Sequence, residues 1–222
     1  MLRDDQVRYL VDASLATAGL VMLSPLLIAV AVAIALDSPG PPWFLQRRVG
    51  RHGQPFPIVK FRTMHRNAEA VGGPLTVADD RRVTRVGRFL RASKIDELPQ
   101  LINVVRGDMA LVGPRPEVPR YVELYDEQQR KVLEVRPGIT DPASLRYRNE
   151  SALLDTARDP DELYRTQLLP HKLALNLAYL ERRTLWSDVG VVLGTVQRVW
   201  LRPNGTTATD AVPDHSTSLH RS

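Results

Sequence analysis

Residues 95–117 read IDELPQLINVVRGDMALVGPRPE, and the rest of the chain is organised around them. The run opens on adjacent carboxylates, Asp96 and Glu97, after a block from Arg81 to Lys94 that carries six cations and no acid. A helix is expected to start here. Ser93 or Asp96 would be the N-cap, and Pro99 would sit in the first turn, where backbone N–H groups have no intrahelical partner. Leu98, Leu101, Ile102 and Val105 then recur at helical spacing, and Gly107 is the stop signal. Two acids at the positive end of a helix dipole, within reach of arginines, stay ionised and welcome a phosphate beside them. Taken alone, such a pair is most often a capped, salt-bridged helix start, because acids favour first turns.

The wording around the pair changes that balance. Lys60-Phe61-Arg62-Thr63-Met64, Thr84-Arg85-Val86-Gly87-Arg88-Phe89-Leu90-Arg91, Asp96-Glu97-Leu98-Pro99-Gln100 and Gly113-Pro114-Arg115-Pro116-Glu117 follow in order. Together they resemble the bacterial sugar transferase family, small monotopic phosphoglycosyl transferases that start glycan assembly on polyprenyl phosphate. The resemblance runs from Tyr9 to Trp200.

Composition sets wide bounds. A chain of 222 residues that is 43% hydrophobic has enough material for one domain with a sizeable core. Without a cysteine, disulfides, thiolate catalysis and Cys-based zinc sites are excluded. A net charge of +5 favours an anionic partner such as nucleic acid, lipid head groups or a nucleotide substrate. Aromatic residues make up only 6% and do not interleave with a basic stretch, which argues against single-stranded nucleic-acid binding, and no nucleic-acid partner is expected.

Ala13 to Leu36 is a 24-residue stretch without a charge, long enough for a transmembrane helix. Ser24-Pro25 sits midway, where proline removes a hydrogen bond and kinks a helix. Arginines flank both ends, Arg3 and Arg8 on one side and Arg47, Arg48 and Arg51 on the other, so charge bias selects no orientation. A helix bent at Ser24-Pro25 that returns to the face it entered fits both facts, with the serine hydroxyl satisfying a carbonyl freed by the proline. A kinked spanning helix fits equally well on residue physics. The family resemblance implies the re-entrant form.

Downstream, Pro39-Gly40-Pro41-Pro42 ends the helix. Trp43 to Gln46 and Phe56 to Phe61, joined across Gly50 and Gly53, predict a β-hairpin. Lys60 and Arg62, two residues apart on a strand, would share a face and address a phosphate together. Val71 to Asp80 reads as a loop. Arg85, Arg88 and Arg91 fall within an arc of about 120° on a helix. The turn Gly113 to Glu117 holds Arg115 between two prolines, suited to a bidentate phosphate contact; the alternative is an Arg115–Glu117 pair. Arg120 to Val135 predicts one amphipathic helix, followed by Arg136-Pro137-Gly138, whose arginine is a further substrate candidate. Asp141 to Asn149 leaves the commoner family wording, and sugar choice is expected there. Asp161 to Leu180 predicts a helix, in which a lone His171 has no second histidine at metal spacing. Trp186, Val189, Val192, Leu193, Val196 and Trp200 stripe a last helix, suited to the core or to a membrane interface. Residues 203–222 are polar and rich in small side chains, the composition of a disordered tail.

These readings assemble into a mainly helical α+β chain: a re-entrant membrane helix over 1–38, a cytoplasmic catalytic domain over 39–202 with a small hairpin and interfacial amphipathic helices, and the tail. The resemblance implies transfer of a sugar-1-phosphate from a UDP-sugar to undecaprenyl phosphate at the cytoplasmic face of the bacterial inner membrane, with release of UMP. Asp96 would be the nucleophile. Asp96 and Glu97 would hold Mg²⁺, and Lys60, Arg62, Arg88, Arg91, Arg115 and Arg136 would face substrate phosphates. Oligomeric state is left open, with room for a homodimer. The rival is a non-enzymatic adaptor that holds anionic lipid or nucleic acid on the Arg81–Lys94 block, which leaves the Asp-Glu pair and Arg115 without a task.

Overall fold

The computed structural model describes residues 2–66, 68, 80–147 and 150–197. Most of the loop expected at 71–80, Trp200 and the tail at 203–222 lie outside them. Helix α1, Leu2–Asp37, runs unbroken through Pro25. Proline at 25 leaves the carbonyl of Val21 without its usual donor. The Ser24 hydroxyl takes that place, donating to Val21 O at 2.8 Å. By length and composition α1 could cross a membrane.

The helix is not set apart from the folded domain. Ala16 packs with Phe56, Ile58, Val104 and Met109, while Val30 and Ile34 pack with Phe61, Leu90 and Ile95. Ala16 and Ile34 are about 27 Å apart along a helix axis, so the domain is joined to both halves of α1. The opposite face is open: Val21, Met22, Ile28 and Leu36 are largely exposed.

Strands β1, Trp43–Val49, and β2, Pro55–Phe61, form the predicted antiparallel hairpin, with Phe44 opposite Lys60. It is longer than expected on the first strand, taking in Arg47, Arg48 and Val49. Helix α2 spans Arg85–Ser93, capped by the Thr84 side chain on Gly87 N–H. A 3₁₀ segment, Ile95–Gln100, leads into α3, Leu101–Arg106. Neither expected N-cap acts. The Ser93 hydroxyl bonds back to Phe89 and Leu90 carbonyls, and Asp96 lies inside the 3₁₀ segment, so the α-helix starts five residues after the first acid. Gly107 ends α3 at φ 83°, a left-handed conformation that favours glycine.

A second sheet had no forecast. Strands β3, Ala110–Val112, and β4, Gly138–Thr140, pair in parallel and join the Gly113–Glu117 turn to the second half of the chain. They meet so closely that a Cβ on Gly138 would lie 2.1 Å from Gly113 N. The single helix expected over 120–135 is instead α4, Pro119–Val122, and a separate 3₁₀ segment, Gln129–Glu134. Between them Asp126 and Gln129 cap each other reciprocally, at 2.7 and 3.1 Å, and start a new turn.

Helices α5, Pro142–Arg146, and α6, Glu150–Asp155, follow. Helix α7, Pro160–Leu163, continues through a π turn at Tyr164–Leu168 into α8, Leu169–Glu181. Together they enclose the largest core cluster, which includes Tyr121, Tyr147, Tyr164 and Leu168. The last described helix, α9, Leu185–Val196, buries Val191 and exposes Trp186 and Leu193.

Candidate active site

The two acids are presented by the backbone inversion at Lys94, a non-glycine residue at φ 58°. After that turn Ile95 enters the core beneath α1 and Asp96 and Glu97 meet the end of β2. Glu97 is clamped. Lys60 Nζ donates to its Oε1 at 3.1 Å, and the Arg115 guanidinium takes both oxygens, NH1 on Oε2 at 3.0 Å and NH2 on Oε1. The fork geometry and short contacts mark a charge-assisted pair. Asp96 is the opposite case. It is buried, and its Oδ1 has no hydrogen-bond partner among the described residues.

Electrostatics separates the two carboxylates in the same sense. Burial would raise Glu97, but Arg115 and Lys60 hold it well below the ordinary carboxylate range. Asp96 is raised, by burial first and by the charge of Glu97 second, with Lys60, Lys94 and Arg91 opposing. Burial brings Lys60 down to about 8 against the pull of Glu97, while the Glu97 charge raises Arg115. One acid is thus a fixed anion already neutralised, and the other is a desolvated, unpaired carboxylate with more basic oxygens.

The remaining sequence candidates divide. Arg91 lies near enough to act on Asp96, and Arg88 is exposed on α2 with no ion pair to a described residue. Arg62 does not share the face of Lys60. Its guanidinium donates to the carbonyls of Ser38, Pro39 and Gly40 at 2.6 to 3.3 Å, closing the end of α1. Arg136 turns to the start of α1, with NH1 on Asp5 at 3.1 Å and its guanidinium carbon 5.0 Å from the centre of the Tyr9 ring. Glu117 does not pair with Arg115. It sits between Arg48, at 3.6 Å, and the Tyr164 hydroxyl, with Lys172 at 4.0 Å.

The sequence assigns Arg48 only to the charge flanking α1 and gives Tyr164 and Lys172 no role. Arg48 is partly buried and Lys172 buried, and a charge inside the helix expected over 161–180 is the one signal Lys172 offers. As to metal, no group of three or more His, Asp or Glu side chains among the described residues stands where it could hold an ion. Magnesium needs fewer, since it takes one or two carboxylates and completes its shell with phosphate and water. The unpartnered Asp96 Oδ1 fits such a shared site, whereas both Glu97 oxygens are paired with cations.

A clamped acid beside a free one, flanked by Lys60 and a proline-framed Arg115, unites three of the four motifs read from the sequence. A family model described as bacterial sugar transferase matches residues 3–202. The chain belongs to the bacterial sugar transferase family. This member is 41% identical over 189 residues to a UDP-glucose:undecaprenyl-phosphate glucose-1-phosphate transferase of Caulobacter vibrioides, covering 84% of this chain and 66% of that protein. It is 39% identical to a UDP-N-acetylgalactosamine-undecaprenyl-phosphate N-acetylgalactosaminephosphotransferase of Aeromonas hydrophila, over 85% of this chain and 42% of the relative. An Escherichia coli UDP-glucose:undecaprenyl-phosphate glucose-1-phosphate transferase is 36% identical, over 83% and 38%. The match therefore spans between 38% and 66% of the length of these relatives, and their names differ over the sugar.

Proposed function

We propose that this family member transfers a sugar-1-phosphate from a UDP-sugar to undecaprenyl phosphate, through a covalent intermediate on Asp96. The observation that carries the mechanism is the asymmetry of the pair: Glu97 is neutralised by Lys60 and Arg115, and Asp96 Oδ1 is buried without a partner. A desolvated carboxylate is the better nucleophile of the two. Its oxygen attacks the phosphorus bearing the sugar, the phosphoanhydride bond breaks, and UMP leaves with the bonding electrons. An oxygen of undecaprenyl phosphate then attacks the same phosphorus, the acyl–phosphate bond breaks, and Asp96 returns as a carboxylate.

Lys60 and Arg115, held by Glu97, can offer their remaining N–H groups to the phosphoryl oxygens, and the exposed Arg88 and nearby Arg91 can take the outer phosphate. Asp96 would hold Mg²⁺, which would supply positive charge to the transferring group. Arg62 and Arg136, in contrast, are assigned to the two ends of α1 rather than to phosphate.

We infer the membrane placement from the same packing. The contacts of the domain with both halves of α1 favour a re-entrant helix whose two ends lie on the cytoplasmic face of the inner membrane, with the exposed faces of α1 and α9 toward lipid. The product would be the first lipid-linked sugar of an exopolysaccharide, capsule or glycoconjugate.

The full chain in phospholipid nanodiscs, given UDP-sugar and Mg²⁺ without lipid acceptor, then quenched in acid and mapped by mass spectrometry, tests the mechanism. A sugar-phosphate adduct confined to Asp96, with a burst of UMP, is the expected result. Sequential kinetics with neither adduct nor burst overturns it.

A further inference from the structure

Behind Arg115 lies a second, fully built ionic cluster that the reaction above does not use. Arg48 on β1 donates from NH1 to the carbonyl of Pro116 at 3.1 Å and stands 3.6 Å from Glu117 Oε2. The Val49 N–H donates to the carbonyl of Glu117 at 2.9 Å, so the turn bearing Arg115 is stapled to the strand. On its far side Glu117 accepts from the Tyr164 hydroxyl at the π turn, and Lys172 on α8 lies 4.0 Å away. Lys172 is satisfied elsewhere too, by Glu150 at 2.8 Å.

The charges add up to a specific problem. Arg48, Lys60 and Arg115 gather around Glu97 closely enough for each to act on the others. Asp96 acts on Lys60 but makes no hydrogen bond through Oδ1, so Glu97 alone would have to pair three partly buried cations, and an unpaired charge in such a site is costly. Glu117 is the further carboxylate that pairs one of them. Pairing Arg48 with Glu117 keeps Arg48 off Glu97 and leaves that acid to Lys60 and Arg115.

We propose that Glu117 is a positioning residue for Arg115, acting through Arg48 and the Pro116 carbonyl, with Tyr164 and Lys172 holding Glu117 in place. Its link to catalysis rests on the reaction proposed above; the positioning itself does not.

Two readouts on the full chain in nanodiscs separate these. The first is the arginine side-chain ¹⁵N–¹H spectrum, with Arg115 assigned by its loss in Arg115→Lys. A clamped guanidinium gives resolved, slowly rotating Nη–H signals in the wild type, and Glu117→Gln should shift or collapse them. Unchanged Arg115 signals overturn the positioning. The second is kcat/KM for UMP release. Glu117→Gln should lose roughly tenfold or more, as expected when a substrate-facing group is misplaced. In an Arg115→Lys background the same change should cost no more than about twofold, because the two act as one unit. An equal loss in both backgrounds overturns the proposal. Tyr164→Phe removes one hydroxyl, so it keeps the test open if Glu117→Gln does not fold; it should give the same pattern with a smaller loss. A wild type that releases UMP from no UDP-sugar sinks the reaction, and the arginine spectrum still decides the positioning.

Discussion

Asp5 accepts a hydrogen bond from Arg136 at 3.1 Å, across 131 positions of chain, and an ion pair from Arg51 at 2.6 Å reaches the same carboxylate. The first turn of α1 is thereby tied to the hairpin and to the segment just before β4. At the other end Asp37 accepts from the Val86 N–H at 3.1 Å, and Arg62 holds the carbonyls that follow.

Both ends of α1 should therefore react from one side of the bilayer. The chain has no cysteine, so single cysteines introduced near Arg3 and near Arg51 report cleanly. An impermeant thiol reagent is expected to reach both from the cytoplasmic face. Labelling from opposite faces would leave only a spanning helix.

The two acids should answer differently to neutralisation. Asp96→Asn removes a buried, unpartnered charge, so it should abolish turnover while leaving stability within about 1 kcal/mol or slightly improved. Glu97→Gln strands Lys60 and Arg115 in a buried site, at a cost of about 3–5 kcal/mol. Denaturation midpoints of the purified variants check this. Equal destabilisation by both would contradict the asymmetry.

Lys60 supplies a pH signature. Its folded pKa, about 8, lies below that of a free lysine, so burying its charge opposes folding at lower pH. Between that value and the unfolded pKa the unfolded chain holds more protons, and stability should rise with pH across the window. Activity moves the other way. Above pH about 8 the free enzyme loses one clamp on Glu97, so kcat/KM should fall there. Lys60→Arg keeps its proton and should remove that limb; a limb that survives the substitution belongs to another group.

Ser24 and Pro25 form a local unit. Ser24→Ala leaves the Val21 carbonyl unpaired and should cost about 1 kcal/mol. Pro25→Ala restores the backbone donor, and in that background Ser24→Ala should be nearly neutral. A full serine effect without the proline would mean the hydroxyl does something else.

Sugar preference should move with exchange of residues 142–149, provided Asp141 stays. Asp141 is buried and caps α5 through the Ser144 N–H at 3.0 Å, so replacing it tests folding instead. UDP-sugar competition assays on the chimaera read the preference. Retained activity with the original preference would place specificity elsewhere.

Much of this was legible in advance where one residue pattern fixes one local outcome. The extended runs on either side of Gly50 and Gly53 predict the hairpin, and the motif wording assigns Lys60, Glu97 and Arg115 to one site, but not the pairing of both cations with Glu97. What failed were directions and long-range partners. Strand spacing groups Arg62 with Lys60, yet β2 ends at Phe61, and the carbonyls exposed at the end of α1 among prolines claim the guanidinium. The broken helix at 120–135 did leave a trace, because Asp126-x-x-Gln129 is a helix-start signature inside an otherwise periodic run. Strands of three residues, β3 and β4, are too short for any periodicity to reveal.

The packing of α1 also has a consequence in time. Ala16, Val30 and Ile34 leave the ribosome long before Leu90, Ile95, Val104 and Met109, the side chains that cover them in the finished fold. The helix must wait, with its inward stripe unclaimed, while the remainder of its own core is still being translated. Lys172, which helps hold Glu117 behind Arg115, arrives later still. A nascent chain stalled between Arg115 and α8 would carry every residue of the Asp96–Glu97 clamp and yet lack the support that sets it.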